Sequence, residues 1–492
     1  MPACRYLAFD LGAESGRALV GTLADGRVHL EEIHRFPNEP VEVRGTLHWD
    51  VLALYGHVLE GARKYVERFG GTVAGVGVDT WGLDFGLLSA DGQLLQNPVS
   101  YRDRRTEGME GEVARRISPR ELFERTGISF NRIHTICQLL SLRLSNSPAL
   151  DCAATFLMMP DLLAYFLSGR ARCERTNAIS TQLYDPRRGM WSDDLLARLG
   201  LPRGIMPEIV NPATVLGPLG ESARRSTGLD GGLVIAPCSH DTASAVSAVP
   251  ARGPECAFIS SGTWSVLGMF VDEVVTSTEA FSARALNELA VDGFFLCRNI
   301  MGLWLLQQAR AAWRRNGESY SYADLGALAE AAPAGGGLVH PDDPAFLAPE
   351  DMLQAIRGYC VRTGQVPPET PGAIARCILE SLALSYRHGL DQFGRILGRQ
   401  ARSLNIVGGG SRNRLLCRFA ADATGLPVTA GPEEATSVGN VLVQALATGD
   451  LASPGEIVDV VRRSTELTVY EPCEPERWDD RYETYLRPLG DP

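Results

Sequence analysis

Two stretches of this chain follow one pattern. Ala8-Phe9-Asp10 leads through Gly12 and Ser15 into a second apolar run, Ala18 to Leu23. Ala257-Phe258-Ile259 leads through Ser260-Ser261-Gly262-Thr263 into another. The two glycines stand about half of the 492-residue chain apart. A strand, a turn of glycine and hydroxyls, and a returning strand, once in each half, predict two related domains. Glycine admits close backbone approach, while Ser15, Arg17 and Thr263 add donors. Each turn therefore reads as a phosphate cradle or as an ordinary hairpin. In the first reading Asp10 meets a bound Mg²⁺ through water.

The length agrees with more than one core. Acidic residues outnumber basic ones, 59 to 47, for a net charge of −12. That balance argues against nucleic acid as the main partner, because a phosphate backbone needs a basic surface. A small phosphorylated ligand needs only a local site. Lys64 is the only lysine. A Gly-Lys-Ser/Thr phosphate loop and the protein-kinase strand lysine are therefore both excluded, leaving backbone, hydroxyls and arginine to hold phosphate. The 11 cysteines show neither CxxC nor a Cys/His ligand spacing. This speaks against zinc and for a cytoplasmic protein with reduced thiols. The start of the chain carries no charged leader with an apolar core, so no signal peptide is expected. The most apolar stretch, Phe156 to Leu167, is broken by Pro160 and Asp161 and is too short for a membrane span.

The middle of the chain concentrates the chemistry. An apolar run, Leu233 to Ala236, ends in Ser239-His240-Asp241-Thr242, with small residues after it that suit a helix start. Asp241 is either a general base or the cap of that helix. Ser261 to Thr263 offer hydroxyls and N–H groups to phosphate.

Other blocks lie at strand ends. Thr72 to Val78 predicts a buried strand that closes in Asp79-Thr80-Trp81-Gly82-Leu83-Asp84. Carboxylates and an indole there fit a polyol, or else a strand turn with a core tryptophan. Tyr101 to Thr106 pack Arg and Asp so densely that they either pair, fork onto ligand oxygens, or form a solvated cluster. Asp50 predicts the cap of a helix to about Phe69. Between 119 and 200 the chain reads mainly helical, capped at Ser118 and Asp161, with Cys137, Cys152 and Cys173 in the core. Asn299 and Gln307 bracket an apolar helix, and Gly372 to Gly398 form one long helix with a single apolar face. Leu404 to Val407 end in Gly408-Gly409-Gly410, which leaves backbone room for a nucleotide without the dinucleotide fingerprint.

Taken together, DLGAESGR (10–17), DTWGLDF (79–85), YRDRRT (101–106), TNAISTQLYD (176–185), SHDTASAV (239–246), SSGTWS (260–265), NIMGLW (299–304) and IVGGGSRN (406–413) resemble the FGGY-type carbohydrate kinases. The blocks run in order over nearly the whole chain. DTWG–DF, YRD–RT and NIMGLW resemble the rhamnulose branch of that family. The resemblance implies an α/β protein of two ribonuclease-H-like domains, of the actin-like ATPase superfamily, around an interdomain cleft. The expected division is 1–245, with sugar and catalytic base, and 246–492, with nucleotide. It implies ATP-dependent phosphorylation of L-rhamnulose at O1, with Asp241 as base. Ala13, Glu14, Ser15, Gly16, Arg17 and Thr263 would meet the ATP phosphates, and Gln307 and Gly409 the nucleotide. Gly82, His240, Asp241, Thr242 and Asn299 would line the sugar, with Asp10 near Mg²⁺. Glu14 departs from the small or hydroxyl residue the pattern carries there. The expected partners are a small ketose and ATP, with no nucleic acid and no membrane, in a monomer or homodimer. Two alternatives stand beside this: a kinase for L-fuculose or L-xylulose, and a non-catalytic actin-like sensor of sugar or nucleotide.

Overall fold

In the computed structural model, which describes residues 3–489, the elements that build the site follow in chain order. The strands are β1 (Cys4–Leu11), β2 (Ser15–Ala24), β3 (Arg27–Pro37), β4 (Gly75–Thr80), β5 (Thr214–Pro218), β6 (Leu233–Ala236), β7 (Cys256–Ser261), β8 (Trp264–Val271), β9 (Phe294–Met301), β10 (Ser403–Val407), β11 (Val428–Ala430) and β12 (Thr468–Tyr470). The main helices are α1 (Val51–Phe69), α2 (Asp241–Ser247), α3 (Trp304–Arg315), α4 (Pro371–Leu397), α5 (Arg414–Thr424) and α6 (Ala435–Thr448).

The cap expected at the head of α1 is present, and the structure adds caps for α4 and α5 that were not singled out in the sequence. Asp50 accepts from the Ala53 N–H at the head of α1, and Val51, Leu54, Val58, Ala62 and Tyr65 bury one face. Thr370 caps α4, with Pro371 as its first residue, and Asn413 caps α5. Two expectations fail. Asp161 lies inside the helix Met159–Ser168, whose cap position is Met158. Cys152 is exposed, because it ends the four-residue helix Pro148–Asp151 at the surface.

The residues group into two compact units. The first holds the described residues up to Ala248 together with Val271–Leu296 and Ala435–Ser464. The second holds Val249–Phe270, Cys297–Glu434 and the described residues from Thr465. The chain thus leaves the first unit and returns to it twice, so no single cut point separates the two. The second return is α6, a small-residue helix that packs on α2 and on β1 and β4.

Each unit repeats one arrangement. In the first, the strand order is β5-β6-β4-β1-β2-β3, with β1 parallel to β4 and antiparallel to β2. In the second, β9, β8, β7, β10, β11 and β12 lie in that order, with β7 parallel to β10 and antiparallel to β8. The hairpins β1–β2 and β7–β8 are therefore the two copies foreseen from the glycine pattern. Their turns close alike: Gly12 N–H donates to Ser15 O at 2.9 Å, and Gly262 N–H to Trp264 O at 2.8 Å. The strand Leu286–Leu289, which runs into β9, belongs to the first unit.

Candidate active site

Three parallel strands of the first unit, β1, β4 and β6, end side by side, and an acidic residue stands at or just past each end. Asp10 of β1 is the register partner of Asp79 on β4 and of Arg17 on β2. Register partners point to the same face, so the three side chains form a row. Arg17 donates to Asp10 Oδ2 at 2.6 Å. Ser437 Oγ of α6 reaches the same oxygen at 3.1 Å, and Asn440 of α6 donates to Asp79 Oδ2. Asp79 Oδ1 is buried with no hydrogen-bond partner among the described residues. Burial first, and the neighbouring Asp10 second, raise the Asp79 carboxyl well above its ordinary pKa.

The third acid follows β6. Thr80 N–H donates to Ser239 O at 2.9 Å, which carries the strand end alongside β4. His240 then occupies the cap position of α2, without capping it, and Asp241 is the first helical residue. Asp241 is thus not the helix cap. Its Oδ1 lies 2.6 Å from the Thr242 N–H and 3.5 Å from His240 Nε2. The side chain keeps 31% of its surface accessible, so a small molecule can reach the carboxylate even though protein surrounds it. Burial raises its pKa, His240 opposes the rise, and Asp10 adds to it. Gly82 passes close by: a β-carbon there would lie 3.1 Å from Ser180 Oγ and 3.4 Å from His240 Nε2. Gly82 therefore lies beside His240, at the turn that carries Asp241 and Thr242.

Two buried glutamates brace this turn, and neither was singled out in the sequence. Glu174 accepts from Ser239 N–H at 2.9 Å and from Ser239 Oγ at 2.8 Å. Glu288 stands 3.4 Å from His240 Nδ1. Burial alone would lower the His240 pKa, but the charges of Glu288 and Asp241 outweigh it and lift it to about 9.

The blocks read as polyol ligands turn inward instead. Asp84 is fully buried and accepts from Trp49 Nε1 at 2.6 Å, Trp81 Nε1 at 3.0 Å and Gln138 Nε2 at 3.0 Å. Trp81 is a core residue packed at a tilt against Trp49, with ring centroids 4.4 Å apart. Asp103 accepts from Leu47 N–H at 2.8 Å and Arg105 N–H at 2.9 Å, and Arg105 donates to Gln138 at 2.6 Å. The network is internal and mechanical. Asp84→Ala would strand two buried indole donors, Trp49 Nε1 and Trp81 Nε1, each worth about 1–3 kcal/mol when unpaired, while Gln138 Nε2 keeps Leu83 O and Ile133 O. Urea denaturation of this variant is expected to show a loss on the order of 3 kcal/mol.

Some glycines make room for neighbouring side chains of the protein. A β-carbon at Gly16 would lie 2.3 Å from the Phe36 ring, and one at Gly410 would lie 2.0 Å from Ser261 Oγ. Ser261 is correspondingly buried, which removes it from the phosphate role expected of Ser261 to Thr263. Ala13, Glu14 and Ser15 stay at least partly accessible on the β1–β2 turn, whose shape is held by Asn38 Nδ2 donating to Gly12 O at 2.8 Å. In the second unit, Thr263 stays accessible and its Oγ1 donates to Gln307 Oε1 at 3.3 Å. Leu303 N–H donates to Gly262 O at 3.1 Å, docking the head of α3 on the β7–β8 turn. Asn299 is an exposed residue of β9 and not a helix bracket. Gly409, just past β10, has open space where a β-carbon would stand.

Family models match both halves. The N-terminal domain of the FGGY family of carbohydrate kinases matches residues 5–247, and the C-terminal domain matches 257–448. The chain belongs to the FGGY family of carbohydrate kinases. It is an ATP-dependent enzyme acting on a small sugar, as that membership entails. This FGGY chain is 42% identical over 478 residues to the rhamnulokinase of Bacteroides thetaiotaomicron, covering 97% of this chain and 98% of that protein. It is 39% identical over 470 residues to the rhamnulokinase of Enterococcus faecalis, covering 95% and 94%. Among solved structures, gluconate kinase from Lactobacillus acidophilus superimposes with a TM-score of 0.81 at 15% identity, over 99% of this chain and 97% of that one. Xylulose kinase from Rhodospirillum rubrum follows at 0.78 and 21%, over 99% of each chain. Identities this low speak to the fold alone, which is the two-domain α/β fold of the FGGY kinases. Among the described residues no helix is long and apolar enough to cross a membrane.

Proposed function

We propose that this kinase transfers the γ-phosphoryl group of ATP to O1 of L-rhamnulose, with Asp241 as general base. The observation that carries the substrate is the 42% identity to a named rhamnulokinase over nearly the full length of both chains. A sugar hydroxyl has a pKa far above 7, so a placed carboxylate helps by taking its proton as the new bond forms. Asp241 suits that role: it is accessible, it does not cap its helix, and its neighbour His240 favours the ionised form. Gly82, His240, Thr242 and Asn299 would orient the sugar, so that one hydroxyl faces Asp241.

Ala13 to Arg17 and Thr263 would meet the ATP phosphates, and Gln307 and Gly409 the rest of the nucleotide. Gly409 and Thr263 support this by being open. Arg17 is already engaged with Asp10, so its contact to phosphate would be shared. The Asp10–Asp79 row fits a hard cation: it offers oxygen donors, and one buried carboxylate oxygen lacks a partner among the described residues. Asp10 would hold Mg²⁺ through water. When bound, the ion would neutralise charge on the triphosphate. The same reading places the enzyme in the cytoplasm.

The test is a ketose panel with ATP, following ADP release and locating the product phosphate by NMR. L-Rhamnulose is expected to give the highest kcat/KM and a 1-phosphate. A higher kcat/KM for L-fuculose or L-xylulose would overturn the substrate, and sugar-independent ADP release would overturn the reaction.

A further inference from the structure

The histidine beside the proposed base lies between two carboxylates from different parts of the fold. His240 Nε2 is 3.5 Å from Asp241 Oδ1, and Nδ1 is 3.4 Å from Glu288 Oε2. The imidazole and the Glu288 carboxylate are both nearly closed off, at 13% and 11% side-chain exposure. Neither Nδ1 nor Oε2 has a hydrogen-bond partner among the described residues, and the two atoms face each other at 3.4 Å. An imidazole facing carboxylates through both nitrogens is served best by a proton on each. Glu288 lies on the strand Leu286–Leu289, far along the chain from His240 in sequence order, so the pairing exists only in the fold.

We propose that Glu288 is a positioning residue that holds His240 as a doubly protonated imidazolium, and that this cation in turn keeps the Asp241 carboxylate ionised and oriented. The second half rests on the reading of Asp241 as the base.

The surroundings direct the charge this way. Glu174, on the strand Cys173–Glu174, adds a smaller negative contribution at His240 but spends its oxygens on Ser239 and Thr176. His134, at the head of the helix Thr135–Leu144, also faces Glu288, but burial pushes its pKa down to about 4 and it stays neutral. His240 is thus the cation that Glu288 answers. The imidazolium offsets what burial and Asp10 do to Asp241, both of which favour the protonated acid. The couple titrates in a definite window. The folded pKa of about 9 lies above the ordinary 6.5. Its stabilisation is therefore complete below pH 6.5 and is lost as pH rises through about 9.

The experiment is a histidine NMR titration of the full-length protein without sugar or nucleotide, with the His240 signal assigned from His240→Asn. The wild-type signal is expected to titrate near pH 9, and Glu288→Gln is expected to lower that midpoint by more than one pH unit. The kcat/KM profile of Glu288→Gln should lose its alkaline limb near 9 and move its acidic limb upward, while Glu288→Asp restores part of both. A merely structural role for Glu288 would lower activity at every pH and leave the midpoints in place. A wild-type midpoint at or below 6.5, or one that Glu288→Gln does not move, overturns the proposal. The wild-type titration decides even if the variant does not fold. Turnover retained in Asp241→Asn with the His240 midpoint still near 9 would count against the base reading and leave the Glu288–His240 couple standing.

Discussion

Replacing Asp241 by Asn is expected to lower kcat by about 10²–10⁴-fold, the range that a positioned general base contributes. The amide keeps the size and the Thr242 contact of the carboxylate but cannot take a proton at neutral pH. Sugar affinity should therefore change little, because binding relies on the surrounding groups. Isothermal titration with sugar, together with initial rates of ADP release, separates the two effects. Glu at the same position is the informative control. It keeps the acid but displaces it by one methylene at the head of a short helix, so it should recover only part of the rate. Near-wild-type turnover in Asp241→Asn would remove this residue from the chemistry.

The second large effect is on folding. Gly439 of α6 crosses α2 so closely that a β-carbon there would lie 1.9 Å from the Ser244 carbonyl oxygen. Alanine normally favours a helix over glycine by about 1 kcal/mol. Here the obstacle is backbone, which cannot rotate aside, so the helices must separate. Overpacking typically costs about 1–3 kcal/mol, and occasionally more. The steric term therefore wins, and Gly439→Ala is expected to lose about 2 kcal/mol net in urea denaturation. It should also slow catalysis, since Ser437 and Asn440 on the same helix hold Asp10 and Asp79. Gly56→Ala on the exposed side of α1, where a β-carbon meets nothing within 4 Å, should do the reverse and stabilise by a few tenths to 1 kcal/mol. Equal responses from the two glycines would contradict this account of the α2–α6 crossing.

What could be read from the residues was local. The Asp50 cap, the apolar face of α1, the long helix α4 and both glycine hairpins follow from signals within a few positions. The turn carrying Asp241 was legible for the same reason: a short apolar strand, polar residues, then small ones. The polyol reading of Asp84 and Trp81 went wrong where local pattern stops. A carboxylate at a strand end looks the same in sequence whether it meets ligand or indole, and only Trp49, drawn from another element, decides. Gly16 and Gly410 likewise meet a tertiary demand invisible in local pattern, since their missing side chains make room for Phe36 and Ser261.

By itself, then, the order of residues determined the family, the doubled hairpin architecture and the acid at the head of α2, because each is carried by contiguous motifs. The tertiary structure decided which groups set the charge around that acid. Glu174 reaches the site from the first passage of the chain, Glu288 from its first return, and Ser437 and Asn440 from its second. Electrostatic coupling depends on separation in space and on burial, and neither is encoded in the spacing of residues along the chain.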